Sequence, residues 1–363
     1  MKRHTLYIIL ILIAASLVLG ACVGGAGATS SWPGFTVDIE RELAYVTNGP
    51  QIYAVNLSNG TQKWNSPTEK DNKITFYAQP ALTDDGQLIV GSYSNTLYSL
   101  NPENGQQNWT FDGAESQYIG GALTNGERIY APNSDKNLYT LGMEGDPVWS
   151  FETGDALWAA PVTDGDFVYL PSMDHRVYAL DAENGELFWN TDDLGGSIAG
   201  VPALSPDGLL FVGTFGDELL ALDTTQNGKV VWRMPASAWV YSGPAQTGDV
   251  LYVGDLDGML YAIEANSGSI IWKIQPDQNN NGAITDKPLV IDDKVYFASE
   301  SGNLLAVEAE NGNPVWTREI GGKLYAGPQS AGENILVAPM GIDELLIALD
   351  LNGNQVWAFI PSD

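Results

Sequence analysis

Few residues of this chain have side chains suited to catalysis. The sequence holds two histidines, His4 in an apolar N-terminal segment and His175, and a single cysteine, Cys22. An activated nucleophile needs an adjacent base and a third group that orients the base. No Ser-His-Asp or Cys-His signature, haem-attachment motif or metal-spaced His/Cys cluster is present. We therefore predict no catalytic residue. We interpret His175, which lies between Asp174 and Arg176, as a polar residue of a hairpin turn.

Asp277 begins an Asn-rich segment that resembles the first half of a calcium-binding loop. Asp277, Asn279 and Asn281 supply oxygen atoms at loop positions 1, 3 and 5, and a glycine follows at position 6. Position 12 would be Pro288 instead of the bidentate glutamate, so the EF-hand pattern fails there. Asp286 offers a carboxylate in its place. The alternatives are a calcium site and a long polar connection between two structural units.

The N-terminal segment predicts export and lipid attachment. Lys2 and Arg3 precede an apolar run over residues 6–19, which is short for a membrane-spanning helix. Small residues then lead to Cys22, and the segment resembles a bacterial lipobox. The resemblance implies cleavage before Cys22 and lipidation of its thiol and amine. An ordinary signal peptide with an incidental cysteine is the alternative.

The chain accordingly divides into a signal peptide over residues 1–21, a lipidated flexible tether over 22–31 and a folded domain over 32–363. Without Lys2 and Arg3, the chain keeps 14 basic and 45 acidic residues, a formal net charge of −31. Such a charge repels phosphate backbones and anionic headgroups. We therefore expect no nucleic-acid partner. We expect contact with the bilayer only through the Cys22 anchor, on the extracytoplasmic side of a bacterial membrane.

A repeat of 40 to 45 residues dominates the folded domain. Each copy ends on a tryptophan that lies four residues after a glycine. A repeat of this length is a supersecondary unit that buries its apolar face only against its neighbours. The eight tryptophans are Trp64, Trp109, Trp149, Trp189, Trp232, Trp272, Trp316 and Trp357, and the glycines are Gly60, Gly105, Gly145, Gly185, Gly228, Gly268, Gly312 and Gly353.

The copy over residues 160–189 shows what one unit forms. Its segments 167–170 and 176–180 are rich in β-branched and aromatic residues, and turn residues separate them. The pattern predicts a four-stranded antiparallel blade, and Asn184-Gly185 predicts a two-residue hairpin with positive φ at both positions. Eight copies predict an all-β, eight-bladed β-propeller, since ring closure protects the sheet edges. A solenoid is the alternative.

The motif over residues 179–189, Ala-Leu-Asp-Ala-Glu-Asn-Gly-Glu-Leu-Phe-Trp, resembles the tryptophan-docking repeat of the quinoprotein-type (PQQ-repeat) β-propellers. The segments 260–272 and 304–316 match it as well. The likeness to WD40 repeats is weaker, because no aspartate follows any of the eight tryptophans. The resemblance implies that the tryptophans lie flat between neighbouring blades, and a large apolar ring with one N–H suits such a position.

Two branches of this family imply different functions. One contains the PQQ-dependent dehydrogenases, which typically hold the quinone against a vicinal disulfide that one cysteine cannot form. Some members use a histidine base instead, so the resemblance implies a general base as the alternative role of His175. The other contains non-catalytic propeller lipoproteins, among them a subunit of the outer-membrane β-barrel assembly machinery. The lipobox and the eight units resemble the second branch. We therefore expect a scaffold that binds envelope proteins and needs no cofactor, with a PQQ-dependent sugar or alcohol dehydrogenase as the alternative.

Aromatic residues recur where the chain begins each unit. In five units an aromatic residue lies three positions before a proline or glycine. These positions are expected at one mouth of the central channel, beside the hairpins that carry His175 and Arg176. Aromatic rings there favour protein or flat-ligand recognition, and the alternative is that they only wedge blades together. The predicted funnel residues are Tyr77, Tyr118, Trp158, His175, Arg176, Trp239, Tyr241 and Tyr325.

Overall fold

The computed structural model of the chain describes residues 33–276 and 282–362. These residues form eight four-stranded antiparallel sheets, each built from one continuous segment with its strands in chain order. The predicted eight-bladed propeller is therefore confirmed. The part of the chain that the structure describes has one short 3-10 helix, Thr224–Gln226, and no helix there has the length and hydropathy to cross a membrane.

Blades 1 to 4 contain sixteen strands. They are β1 (Phe35–Asp38), β2 (Leu43–Asn48), β3 (Gln51–Asn56), β4 (Gln62–Ser66), β5 (Ala81–Leu82), β6 (Leu88–Gly91), β7 (Leu97–Leu100), β8 (Gln107–Phe111), β9 (Leu123–Thr124), β10 (Ile129–Pro132), β11 (Asn137–Leu141), β12 (Pro147–Glu152), β13 (Val162–Thr163), β14 (Phe167–Pro171), β15 (Val177–Asp181) and β16 (Leu187–Asn190).

Blades 5 to 8 contain the other sixteen described strands. They are β17 (Ala203–Leu204), β18 (Leu209–Thr214), β19 (Glu218–Asp223), β20 (Lys229–Pro235), β21 (Ala245–Thr247), β22 (Val250–Gly254), β23 (Leu260–Glu264), β24 (Ile270–Ile274), β25 (Leu289–Ile291), β26 (Lys294–Ser299), β27 (Asn303–Glu308), β28 (Pro314–Glu319), β29 (Gln329–Ala331), β30 (Asn334–Val337), β31 (Leu346–Asp350) and β32 (Gln355–Phe359).

The hydrophobic core lies in the seams between blades. The second and third strands of each blade are almost continuously buried, as in the Leu43–Asn48 and Gln51–Asn56 pair. The described residues form eight apolar clusters, and each joins two neighbouring blades. In one of them, Phe211 of blade 5 packs with Leu251 and Val253 of blade 6. Because both faces of these strands are buried, their sequences are nearly continuous runs of apolar residues.

Each repeated tryptophan lies against the repeated glycine of the next blade. A Cβ atom added to Gly105 would lie 2.6 Å from the Trp64 ring, and the same relationship holds at all eight seams. Within its own blade each tryptophan pairs with a small residue, alanine in six cases, for example Ala54 opposite Trp64. Small residues on both sides leave room for a flat indole, so the tryptophans dock between blades as the resemblance implied.

The hairpin before each tryptophan differs from the predicted two-residue turn. Gly60 has φ +72°, but Asn59 does not have positive φ, and the Gly60 N–H donates to the carbonyl of Asn56, 2.9 Å away. The loop therefore spans four residues. Its asparagine serves as an acceptor, since the Asn59 side chain receives the N–H of Thr61. Among the six Asn-Gly pairs that precede a repeated tryptophan, Asn227, with φ +56°, is the one asparagine that has positive φ.

Candidate partner-binding surface at the propeller hub

The eight segments that lead into the blades meet around the propeller axis. They enclose a half-open cavity of about 140 Å³, to which every blade contributes. Glycines let these segments approach each other closely: a Cβ atom on Gly200, Gly243 or Gly327 would collide with a backbone carbonyl of an adjacent segment. Backbone atoms therefore form much of the cavity wall. A few large side chains supply its aromatic and charged groups.

In several of these segments a buried apolar residue anchors the chain before it reaches the cavity. The N–H of Leu157 donates to the carbonyl of Asn133, and the N–H of Val240 donates to that of Thr214. Both side chains lie in the seams. Because successive side chains of an extended chain point in opposite directions, the next residues, Trp158 and Tyr241, point toward the axis.

Four of the five predicted inner aromatic residues line the cavity. Tyr77, Trp158, Tyr241 and Tyr325 are all in its wall, and each is half-buried. Burial, the Asp286 carboxylate and Tyr93 raise the pKa of Tyr241 to about 12, in that order of size. Burial is also the main cause of the raised pKa values of Tyr77 and Tyr325. These phenols are neutral at physiological pH, and the Tyr325 hydroxyl donates to the Glu300 carboxylate at 2.9 Å.

The placement predicted for Tyr118 is wrong. Tyr118 is 1% exposed and packs with Ile89 and Phe111 in the seam between blades 2 and 3. Its N–H donates to the carbonyl of Ser92, so it is the anchor residue of this segment, and Ile119 lines the cavity instead. Ala122 stands at the position of the usual proline here, and counting from Gly121 displaces the alignment by one residue. A one-residue shift in an extended segment moves a side chain to the opposite face.

Two further aromatic residues lie on this face, in the hairpins between the second and third strands. The Tyr93 ring stacks on Tyr77 with centroids 4.8 Å apart, and the Phe215 ring lies 5.8 Å from that of Tyr241. The sequence analysis missed both. Each directly follows a buried hydroxyl residue, Ser92 or Thr214, and this recurrence in the second hairpin of a blade is the signal that could have found them.

Trp239 extends the aromatic cluster outward. It is 49% exposed, and its ring stacks on Phe215 with centroids 4.7 Å apart and planes 9° apart. It does not line the cavity, but it continues the same face through Phe215 to Tyr241. We call this set the hub surface: it consists of Tyr77, Tyr93, Trp158, Phe215, Trp239, Tyr241 and Tyr325.

His175 and Arg176 lie in a hairpin of the same face but do not line the cavity. The His175 ring Nδ1 is 3.1 Å from Asp193 Oδ1, and Arg176 donates to the carbonyl of Thr191. Both therefore tie the hairpin of blade 4 to the segment that leads into blade 5. His175 has φ +70°, which fits the predicted turn. Among the described residues no hydroxyl group bonds to its ring, and the Asp193 carboxylate is its hydrogen-bond partner.

The calcium prediction falls largely outside the described residues. Three of its four residues are not among the described residues, namely Asp277, Asn279 and Asn281. The predicted lipidation site Cys22 is not among them either. Asp286 is described and lines the cavity, where its carboxylate accepts the N–H groups of Lys287 and Gly327, each at 2.7 Å. Burial raises the pKa of Asp286. Within residues 33–276 and 282–362, no group of three or more His, Cys, Asp or Glu side chains is placed to hold a metal ion.

The repeat pattern matches a family described as outer membrane protein assembly factor BamB. The matched residues are 28–165, 119–202, 173–323 and 284–360, which together cover nearly the whole propeller. The chain belongs to the BamB family. The expected PQQ-repeat propeller, similar to the propeller subunit of the outer-membrane assembly machinery, is thereby confirmed.

Solved structures show the same fold at low sequence identity. BamB from Moraxella catarrhalis superposes with a TM-score of 0.69 at 17% identity, over 85% of this chain and 94% of that chain. The computationally designed Ika8 protein superposes with a TM-score of 0.73 at 12% identity, over 92% of this chain and 98% of that chain. The likeness to a designed protein shows that the architecture alone does not define a function.

A sequence relative connects the chain to the other branch of the family. The quinohemoprotein alcohol dehydrogenase ADH IIB of Pseudomonas putida is 35% identical over 101 residues. The match covers 24% of this chain and 14% of that enzyme. The segment is about as long as two or three blades, so the likeness is one of repeat sequence.

Proposed function

We propose that this BamB-family chain is a non-catalytic extracytoplasmic lipoprotein that binds envelope proteins and acts as a scaffold in their assembly. The observation that carries the proposal is the hub surface, an aromatic face at one end of a rigid ring. Tyr and Trp are the residues that contribute most to protein–protein binding energy. Membership of a family described as outer membrane protein assembly factor supports the same function.

The exposed position of Trp239 supports a protein partner. A large ring that is 49% exposed and held by a stack on Phe215 is rigid before binding, so little conformational entropy is lost on contact. Val201, 45% exposed, lines the adjacent cavity wall. Together these residues form an apolar face that a partner would cover.

The proposed location follows from the N-terminal segment and the charge. A lipid on Cys22 would hold the chain at a membrane, and a body with a net charge of −31 after cleavage would be repelled from anionic headgroups. The hub surface would then be free to meet proteins. Metabolic labelling with palmitate tests the anchor: wild type should incorporate label and Cys22→Ser should not.

Photo-cross-linking tests the scaffold function directly. A photoreactive phenylalanine analogue at position 239 should capture a defined partner in intact cells, identified by mass spectrometry as a component or client of outer-membrane protein assembly. Phe188 is the matched control, since it is 60% exposed on the outermost strand of blade 4, away from the hub. Capture of the same proteins from positions 188 and 239, or of none from 239, would refute the hub surface as the binding face.

A PQQ-dependent dehydrogenase is the second candidate function, and the similarity to the Pseudomonas putida enzyme favours it. Two observations argue against it. The single cysteine cannot form a vicinal disulfide. Among the described residues, no hydroxyl group bonds to the His175 ring and no group of side chains is placed to hold a metal ion. We therefore place the scaffold first.

A further inference from the structure

Among the described residues that line the hub cavity, one has a charged side chain, and it is a carboxylate. Asp286 receives two backbone N–H groups, but no ion pair among the described residues includes it. The exposed Lys287 that follows it is the basic residue whose charge acts on it. A carboxylate in a confined space, without a paired cation, favours a positively charged ligand and repels an anionic one.

Aromatic rings surround this carboxylate. Tyr77, Trp158, Tyr241 and Tyr325 come from four different blades and share the cavity wall with Asp286. The charge of Asp286 reaches the Tyr241 hydroxyl, where it contributes to the raised pKa. The face of an aromatic ring attracts ammonium and guanidinium groups, and several rings around one space are the arrangement that recognises quaternary ammonium ions.

The cavity size sets the scale of the ligand. Its volume of about 140 Å³ is similar to that of an engineered protein cavity of about 150 Å³ that accepts benzene. A trimethylammonium or guanidinium group fits such a space, whereas a whole cofactor does not. A bare calcium ion is a poor match, because it needs six to eight oxygen ligands and Asp286 is the one carboxylate among the described wall residues.

At the rim of the cavity, a tyrosine hydroxyl and a carboxylate hold one of the protein's own cations. Lys323 Nζ is paired with the Glu300 carboxylate and donates to the Tyr325 hydroxyl at 3.1 Å. The Tyr325 hydroxyl donates to the same carboxylate at 2.9 Å. A phenol hydroxyl and a carboxylate thus hold an ammonium group beside the cavity, and the cavity places the Asp286 carboxylate among further aromatic residues.

We propose that the hub cavity is a binding site for an organic cation, with the Asp286 carboxylate as counter-ion and the rings of Tyr77, Trp158, Tyr241 and Tyr325 as its walls. The cation is a quaternary ammonium or guanidinium group, carried by a small molecule or by a side chain of a bound protein. This site goes beyond the proposed scaffold function and does not depend on it.

Calorimetric titration of the full chain in a maltoside detergent tests the proposal. Choline and N-acetyl-arginine amide are the two probes, and they distinguish a small-molecule cation from a side chain. The uncharged analogue of choline, 3,3-dimethylbutan-1-ol, has the same shape without the charge. At least one cation should bind saturably, and the uncharged analogue should bind about tenfold more weakly or not at all.

Variants locate the site. Asp286→Asn keeps the shape and removes the charge, and it should weaken cation binding about tenfold. Asp193→Asn is the control, since Asp193 is an exposed carboxylate on the same face outside the cavity wall. If Asp286→Asn does not fold, Tyr241→Leu replaces it and should weaken binding by removing one ring.

Three results would overturn the proposal. They are no saturable binding of either cation, equal affinity for the uncharged analogue, and unchanged affinity in the folded cavity variant. Heat from calcium with none from the organic cations would also refute it. Cross-linking at position 239 does not use the cavity. The titration therefore tests the cation site and the cross-linking tests the scaffold function, and one proposal can fail without the other.

Discussion

Trp357 of the last blade lies on Gly60 of the first blade, 297 positions apart in the sequence. Its indole N–H donates to the carbonyl of Leu57 at 2.8 Å, and the Gln329 side chain donates to the carbonyl of Phe35 at 2.6 Å across the same seam. This seam repeats the geometry of the other seven, so the ring closes by noncovalent packing of its two ends.

Gly60→Ala should destabilise the protein far more than Gly332→Ala. The two glycines have similar φ values, +72° and +68°. The left-handed backbone conformation therefore costs the same stability, about 1 kcal/mol, for alanine at either position. A Cβ at Gly60 would lie 2.6 Å from the Trp357 ring, whereas nothing lies within 4 Å of a Cβ at Gly332. We expect a total loss of about 3 kcal/mol at Gly60, measured by urea denaturation. Equal losses would contradict the docking role.

Trp357→Phe should cost about 1–2 kcal/mol more than Trp149→Phe. Both changes shorten a docked ring, but only the first breaks a hydrogen bond, from the Trp357 N–H to Leu57. The Trp149 N–H is buried and has no hydrogen-bond partner among the described residues. Free energies of unfolding from denaturant curves check the difference. A larger loss at Trp149 would show that the lost ring volume outweighs the hydrogen bond.

Stability should depend on pH through Asp255, a buried carboxylate in the second hairpin of blade 6. Burial raises its pKa above the ordinary 3.8, against hydrogen bonds from Met259, Tyr261 and Ser237. The folded state therefore binds the proton more tightly than the unfolded state. Relative to Asp255→Asn, wild type should gain stability as the pH falls from neutral through the folded-state pKa, and the gain should level off below 3.8.

Urea denaturation of both proteins across this pH range gives the comparison. Asn133 occupies the equivalent position in blade 3 and is fully buried there, so an asparagine is compatible with this hairpin. A difference in stability that does not change with pH, or that favours the variant in acid, would contradict the raised pKa.

The chain should show no dye-linked dehydrogenase activity on sugars or alcohols after addition of PQQ and calcium. Among its described residues no hydroxyl group forms a hydrogen bond with the His175 ring, and its single cysteine cannot form a vicinal disulfide. A dye-reduction assay measures this, with the same assay on a known quinoprotein as the positive control. Turnover that is lost in His175→Ala would establish the dehydrogenase instead.

Much of the fold could be predicted because a repeat presents the same information eight times. One tryptophan and one glycine per copy fixed the number of blades, and the turn residues between apolar segments fixed four strands in each. The hairpin type was wrong at Asn59, because the asparagine side chain accepts a backbone N–H and only the glycine has the left-handed conformation.

The hub was predictable only where a segment followed the common spacing. Trp158, Tyr241, Tyr77 and Tyr325 were placed at the cavity, but Tyr118 was not, since Gly120-Gly121 displaced the count by one residue. The one-residue difference decides whether a ring is buried in a seam or faces the axis.

The sequence by itself determined the local units: the strands, the turns, the docking residues and the acidic charge, since each depends on residues close together in the chain. Only the tertiary structure decided that Asp286 joins Trp158 and Tyr241 in one cavity, and that Phe215 holds Trp239. These residues come from different blades, and their distances depend on how the whole ring closes, which no local pattern encodes.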